Sequence, residues 1–197
     1  MNKPTGYDEA SAGGFTPVEL GGHYGVIKQV SEKDSSTGKP MIVVLFDFDK
    51  NDAQPGYFSD LFNSYDREPK KWPYQGSKYI MVQDYQDARK TSRNFKAFVT
   101  TVEKSNNMKV SWGGSNWGKQ FVGKKIGIVY GEEEQEYNGE TSMRRVPKWF
   151  CLYEKAKEAA IPAPKYLPSK APVAGSTDSE IDGFLSIPEN TEEEIPF

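Results

Sequence analysis

The stretch Met41-Ile42-Val43-Val44-Leu45-Phe46-Asp47-Phe48 decides the fold class. It is β-branched and aromatic, and the turn cluster Ser35-Ser36-Thr37-Gly38-Lys39 precedes it, so it reads as a strand. Both faces of that strand are apolar. One face can fill a core, and the other must be covered or used.

Working outward, residues 24–30 (Tyr-Gly-Val-Ile-Lys-Gln-Val) read as an earlier strand, and residues 57–62 as a strand or a short helix. Residues 64–76 form a basic, Pro-containing loop, and 78–83 suggest a further strand. From about 87 to 104 the period changes. Phe95, Phe98, Val99 and Val102 stand at i, i+3, i+4 and i+7, one face of an amphipathic helix. Residues 106–119 are a loop containing Gly and Trp. Strands follow at 124–130 and 141–153, with Asn138-Gly139 between them as a hairpin signal. Strands, one helix and a closing hairpin predict a mainly β protein. The order matches an OB-fold-like five-stranded barrel with its helix between the third and fourth strands.

The hydrophobic share of 36% is low for a chain folded throughout, and aromatics reach 13%. Residues 1–17 read as a flexible lead-in, 18–161 as the folded domain, and 162–197 as a disordered Pro-rich linker with an acidic tail. Residues 1–170 hold all 25 Lys and Arg against 21 Asp and Glu, a balance of +4, whereas 171–197 carry −7 from seven acidic residues and no basic one. Residues 64–125 hold 13 basic and 5 acidic side chains, a balance of +8. A basic middle and an acidic end suggest a polyanionic ligand and an interaction tail. No apolar run approaches the ~20 residues of a membrane helix. The opening Met1-Asn2-Lys3-Pro4-Thr5 has no signal-peptide core, and the single Cys151 fits a reducing compartment, so a cytoplasmic protein is expected. Cys151 itself reads as a buried strand residue.

The C-terminal Glu192-Glu193-Glu194-Ile195-Pro196-Phe197 resembles the acidic tip of bacterial single-stranded DNA-binding proteins, with glutamates in place of aspartates. An apolar ring, a terminal carboxylate and a backbone pre-set by Pro196 make a portable ligand for a pocket with a basic rim. Asp182-Gly183-Phe184-Leu185-Ser186-Ile187-Pro188 is a related pattern upstream. Gly38-Lys39-Pro40-Met41 entering a strand, and Val122-Gly123-Lys124-Lys125-Ile126-Gly127-Ile128 leading to the Asn-Gly hairpin, are similar to phage-encoded single-stranded DNA-binding proteins. The resemblance implies an OB-fold protein that protects single strands, serves DNA replication, recombination and repair, and recruits partner proteins in a bacterial host cytoplasm. Homo-oligomer assembly is compatible with it.

Single-strand sites combine basic residues with stacking aromatics. The clusters that meet this description are Lys70, Lys71, Trp72, Tyr74 and Lys78; Arg89, Lys90 and Arg93 near the helix start; Trp112, Trp117 and Lys119; and Arg144, Arg145, Lys148 and Trp149 on the last strand. Trp72, between Lys71 and Pro73, is the leading stacking candidate. Glu132-Glu133-Glu134-Gln135-Glu136 should repel phosphate, which excludes that arm from the binding groove.

Catalytic readings lack parts. Gly113 to Lys119 spells G-x-x-x-x-G-K, but Gln120 replaces the Ser or Thr and a strand follows where a helix is needed. The one histidine, His23, reads as a surface residue at a strand start. Asp47, Asp49 and Asp52 lack EF-hand spacing and read as a polar strand exit. No cofactor, metal or enzymatic role is expected. A contrasting reading is a protein-interaction adaptor whose OB-like barrel binds no nucleic acid.

Overall fold

A computed structural model describes residues 16–66, 68–114 and 116–168. The chain is mainly β. Strands β1 (Gly21–Asp34), β2 (Pro40–Phe48), β3 (Ser77–Met81), β4 (Lys125–Tyr137) and β5 (Glu140–Cys151) form one antiparallel sheet in the order β3-β2-β1-β4-β5. Helix α1 (Tyr57–Ser64) follows β2, and the amphipathic α2 (Arg93–Ser105) lies between β3 and β4. Residues 57–62, open between strand and helix in the sequence, are helical. Among the described residues no helix is long and apolar enough to cross a membrane.

β1 pairs with two partners because it bends. Gly21–Val26 face β4 and Gly25–Asp34 face β2, with an irregularity between Ile27 and Gln29 where Lys28 is the extra residue. Asn138 (φ 53°) and Gly139 (φ 82°) both take the left-handed conformation of a two-residue hairpin turn, which joins β4 to β5 as the dipeptide predicted.

The expected barrel closure is absent as a backbone ladder: among the described residues none joins β3 to β5. Side chains span that seam instead. Lys78 Nζ donates to the carbonyls of Pro147 (2.9 Å) and Lys148 (2.7 Å), and Gln75 Nε2 donates to the carbonyl of Arg145 at 3.0 Å. Val44, Phe46, Phe48, Phe58, Phe98, Phe121, Ile126, Ile128 and Tyr130 fill the core enclosed by the curved sheet and α2.

The three aspartates after β2 each have a structural task. Buried Asp47 accepts from the amides of Phe58 (2.9 Å) and Ser59 (3.1 Å) and from the Ser59 hydroxyl, capping α1 from a distance. Asp49 accepts from the Tyr153 hydroxyl at 3.1 Å. Asp52 binds His23, which is 1% exposed and stacked on Phe48, so the expected surface histidine is a core residue. The misreading arose because His23 opens β1, and only the fold folds the 49–56 loop over it.

The chain after β5 packs on the outer side of β1 and β4. Gly22 leaves room there for the backbone of Ala156, whose carbonyl oxygen lies 1.6 Å from where a Cβ would stand. Lys165 then pairs alongside Glu133 of β4, its carbonyl accepting from the Glu134 amide (2.8 Å) and its amide donating to Glu132 O (3.1 Å), so attachment continues past the expected domain end at 161. The tail residues Glu192, Glu193, Glu194, Ile195, Pro196 and Phe197 lie outside the described residues, as does the Phe184 pattern.

Candidate nucleic-acid interface

The two-sided apolarity of β2 resolves in the register. Ile42, Val44 and Phe46 point into the core, which leaves Met41, Val43 and Leu45 on the outer face. Opposite them on β3 stand Met81, Tyr79 and Ser77, and opposite them on β1 stand Lys33, Ser31 and Gln29. Tyr79 is 61% exposed and Met81 36% exposed. The result is an apolar face with a projecting phenol at its centre and a lysine at one corner. Met41, Val43 and Leu45 are half-buried on that face, and Tyr79 and Met81 stand clear of it.

Met41 also lines a groove of about 860 Å³ at the end of the sheet. The end of β1 (Glu32 to Asp34) and the start of β2 (Pro40 to Ile42) form one wall, and α2 with the loop before β4 forms the other. Three rings pack against one another in that second wall, with Phe95 and Trp112 also in contact (6.2 Å, 52°). Phe95 of α2 stacks on Trp117 (centroids 6.0 Å apart, 30°), and Trp117 stacks on Trp112 (5.7 Å, 22°). Trp112 is 66% exposed and Trp117 6%. The Trp117 indole N–H is buried without an acceptor among the described residues, a loss of about 1–3 kcal/mol for such a donor. Lys33 and Lys96 line the groove with no carboxylate within ion-pair distance among the described residues, while Glu32 and Asp34 add negative charge. Lys39 sits 5.0 Å over the Tyr85 ring nearby.

The residues singled out from the sequence are dispersed. Trp72 is half-buried against the core, 5.6 Å from Phe62, with its indole N–H donated to Gly76 O at 2.9 Å. Lys70 Nζ donates to Asn63 O at 3.1 Å, and Lys71 is exposed. Burial pushes the Lys78 ammonium below its ordinary range, helped by neighbouring Lys148, and its bonds face the β3–β5 seam. Arg89 and Lys90 pair with Asp87 (3.0 and 3.9 Å), while Arg93 at the start of α2 is exposed.

The glutamates of β4 and the cations of β5 neutralise each other. Arg145 lies 3.7 Å from Glu132 and Lys148 3.5 Å from Glu133, which Lys165 also meets at 3.1 Å. Those lysines hold the Glu133 carboxyl below its usual range, the Lys165 bond most of all. Tyr74, Arg144 and Arg145 come together around a smaller groove of about 400 Å³, where a hydrogen bond with Tyr74 raises the already high Arg144 pKa. Trp149 (44% exposed) and Lys119 lie on other parts of the surface. Burial pushes the Cys151 thiol up to about 11, so it is protonated and unreactive at neutral pH.

Tyr79 and Met81 escaped the sequence reading. Their signal was the alternation Lys78-Tyr79-Ile80-Met81 beside a strand apolar on both faces, which places two large side chains outward once Ile80 is inward. Which strand they would join depends on register, and that is set by tertiary pairing.

No protein-family model matches the chain, and no curated protein matches it in sequence.

Proposed function

We propose that the chain is a sequence-tolerant single-stranded DNA-binding protein without catalytic activity, and that the strand lies across the outer face of β1, β2 and β3. The exposed Tyr79, beside Val43 and Met81 on the outer strand face, carries this reading. Every base has a π-face, so a projecting phenol on an apolar platform takes any base, at about 1–3 kcal/mol per stack. Lys33 beside the platform and Lys96 in the adjoining groove supply phosphate partners without the ion pairs that occupy Arg145 and Lys148.

An OB-type domain accounts for the arrangement. In such a fold the first strand is shared between both halves, a helix stands between strands three and four, and ligand crosses strands two and three. The bent β1, the position of α2 and the bridged β3–β5 edges support the assignment. On this reading the acidic tip recruits replication or recombination proteins, as its Ile195-Pro196-Phe197 ending implies.

The test is binding of labelled oligo-dT and of a duplex of equal length at two salt concentrations. Tight single-strand binding that weakens with salt, and weakens again in Tyr79→Ala, supports the proposal. Equal affinity for duplex and single strand, or no binding at all, would leave the apolar face as a protein-docking surface and favour the adaptor reading.

A further inference from the structure

We infer that the groove beyond Met41 is a subsite for one base of the bound strand, and that the Trp117 indole N–H donates to an exocyclic carbonyl of that base. The inference rests on the single-strand reading and adds the chemistry of one position within it.

Three observations meet in the groove. Its floor is continuous with the platform, because Met41 belongs to both. A strand leaving Tyr79 therefore arrives there without crossing a polar gap. Its wall carries an exposed indole, Trp112, packed on its inner side against Trp117 and Phe95, so a base can stack on the free face of Trp112. Next to it is the Trp117 N–H, a donor with no acceptor among the described residues. The groove volume of about 860 Å³ falls in the range of small-ligand sites and holds a nucleotide with room to spare.

Reaching the N–H requires the Trp112 wall to shift. Gly113 (φ +89°) and Gly114 (φ +86°) form a turn with no atom within 4 Å of where either Cβ would be, so the shift meets no packed side chain there. It strains the bond from the Trp117 amide to Gly114 O (3.3 Å), while Ser111 stays pinned to Gln120. The lone donor accepts nothing, so it requires an acceptor on the base. Thymine, cytosine and guanine offer a carbonyl oxygen, and adenine offers ring nitrogens instead. The remaining sequence tolerance comes from stacking, which Trp112 provides to any base.

The experiment uses the full chain, oligo-dT, and an oligomer of the same length in which difluorotoluene replaces thymine. That isostere stacks but has fluorine where thymine has carbonyl oxygen. Wild type should prefer oligo-dT, and Trp117→Phe should shrink that preference about fivefold, the size of one net hydrogen bond. Trp112→Ala should weaken both oligomers, by about tenfold. Thermal unfolding of Trp117→Phe shows whether the core tolerates it. Independently of any core variant, the Trp117 indole proton resonance of the labelled wild type, assigned by elimination with variants of the other three Trp, should move downfield with oligo-dT and not with the isostere. A resonance that ignores both ligands, or answers both alike, overturns the subsite. If oligo-dT binds but the preference is unchanged in Trp117→Phe, the subsite falls and the single-strand reading stands. Failure of wild type to bind oligo-dT removes both.

Discussion

Lys78 of β3 donates its ammonium protons to the backbone carbonyls of Pro147 and Lys148 on β5, at 2.9 and 2.7 Å. A single side chain thus does between two strand edges what a backbone ladder does elsewhere in the sheet. Lys78→Met keeps the stem and removes the bonds. Hydrogen bonds from a charged donor contribute about 1.5–3 kcal/mol each, part of which is offset by the burial cost of the ammonium. A loss of about 2 kcal/mol in urea unfolding is expected, with hydrogen exchange accelerating first at β3 and the 145–148 stretch. Unchanged exchange there would show that the seam holds without Lys78.

Two aromatic substitutions should behave oppositely. Tyr79 projects from the sheet, so Tyr79→Ala should weaken single-strand binding by about 1–3 kcal/mol and leave the thermal transition in place. Trp72 packs on Phe62 and bonds to Gly76, so Trp72→Ala should cost about 2–3 kcal/mol of stability, below the ~3–5 of a fully buried ring. Paired titration and melting curves for both variants check the assignment. A destabilised Tyr79→Ala with normal binding would reverse it.

Asp52 accepts from His23 Nδ1 (2.9 Å), Lys157 Nζ (3.0 Å) and the Tyr24 amide (2.8 Å), with its side chain fully buried. Burial alone would raise its pKa, but the bonds from His23 and Lys157 outweigh that and hold the carboxyl well below the usual carboxylate range. The folded value is depressed, so the stabilisation is present above the unfolded value near ~3.9 and is lost as pH falls below it. Wild type should lose stability steeply from about pH 4 downward, and Asp52→Asn much less steeply over the same interval. Asp52→Ala at neutral pH should cost about 3–5 kcal/mol, since His23 and Lys157 lose their buried partner. Parallel acid slopes for wild type and Asp52→Asn would discount the network.

Removing residues 171–197 should tighten single-strand binding at low salt. They carry −7, and on the proposed single-strand reading that tethered charge competes with phosphate for the same site. Salt should erase the difference, because exposed charges are screened within ~10 Å at 0.1 M. Deleting Phe197 alone should abolish partner recruitment and leave DNA affinity intact. Identical affinities of full-length and truncated chains at low salt would leave the tail as a recruiter only.

The sequence by itself determined the strands, the amphipathic α2 and the closing hairpin, because each rests on a local rule. Ile42, Val44 and Phe46 alternate, Phe95, Phe98, Val99 and Val102 repeat at helical spacing, and Asn138-Gly139 tolerates the left-handed turn. These need only neighbours in the chain. Tertiary structure alone decided which side chains face out. Trp72 and Trp117 have basic or polar sequence neighbours, yet their indoles lie against Phe62 and Phe95. Tyr79 also follows a basic residue, Lys78, yet it stands free because β3 pairs with β2 in a register that turns Ile80 inward. Asp47 and Asp52 likewise took their roles from strands and loops elsewhere in the sequence. Stacking and ion pairing act over a few ångströms of space, and the spacing of residues along a chain does not say which distant segment will occupy them.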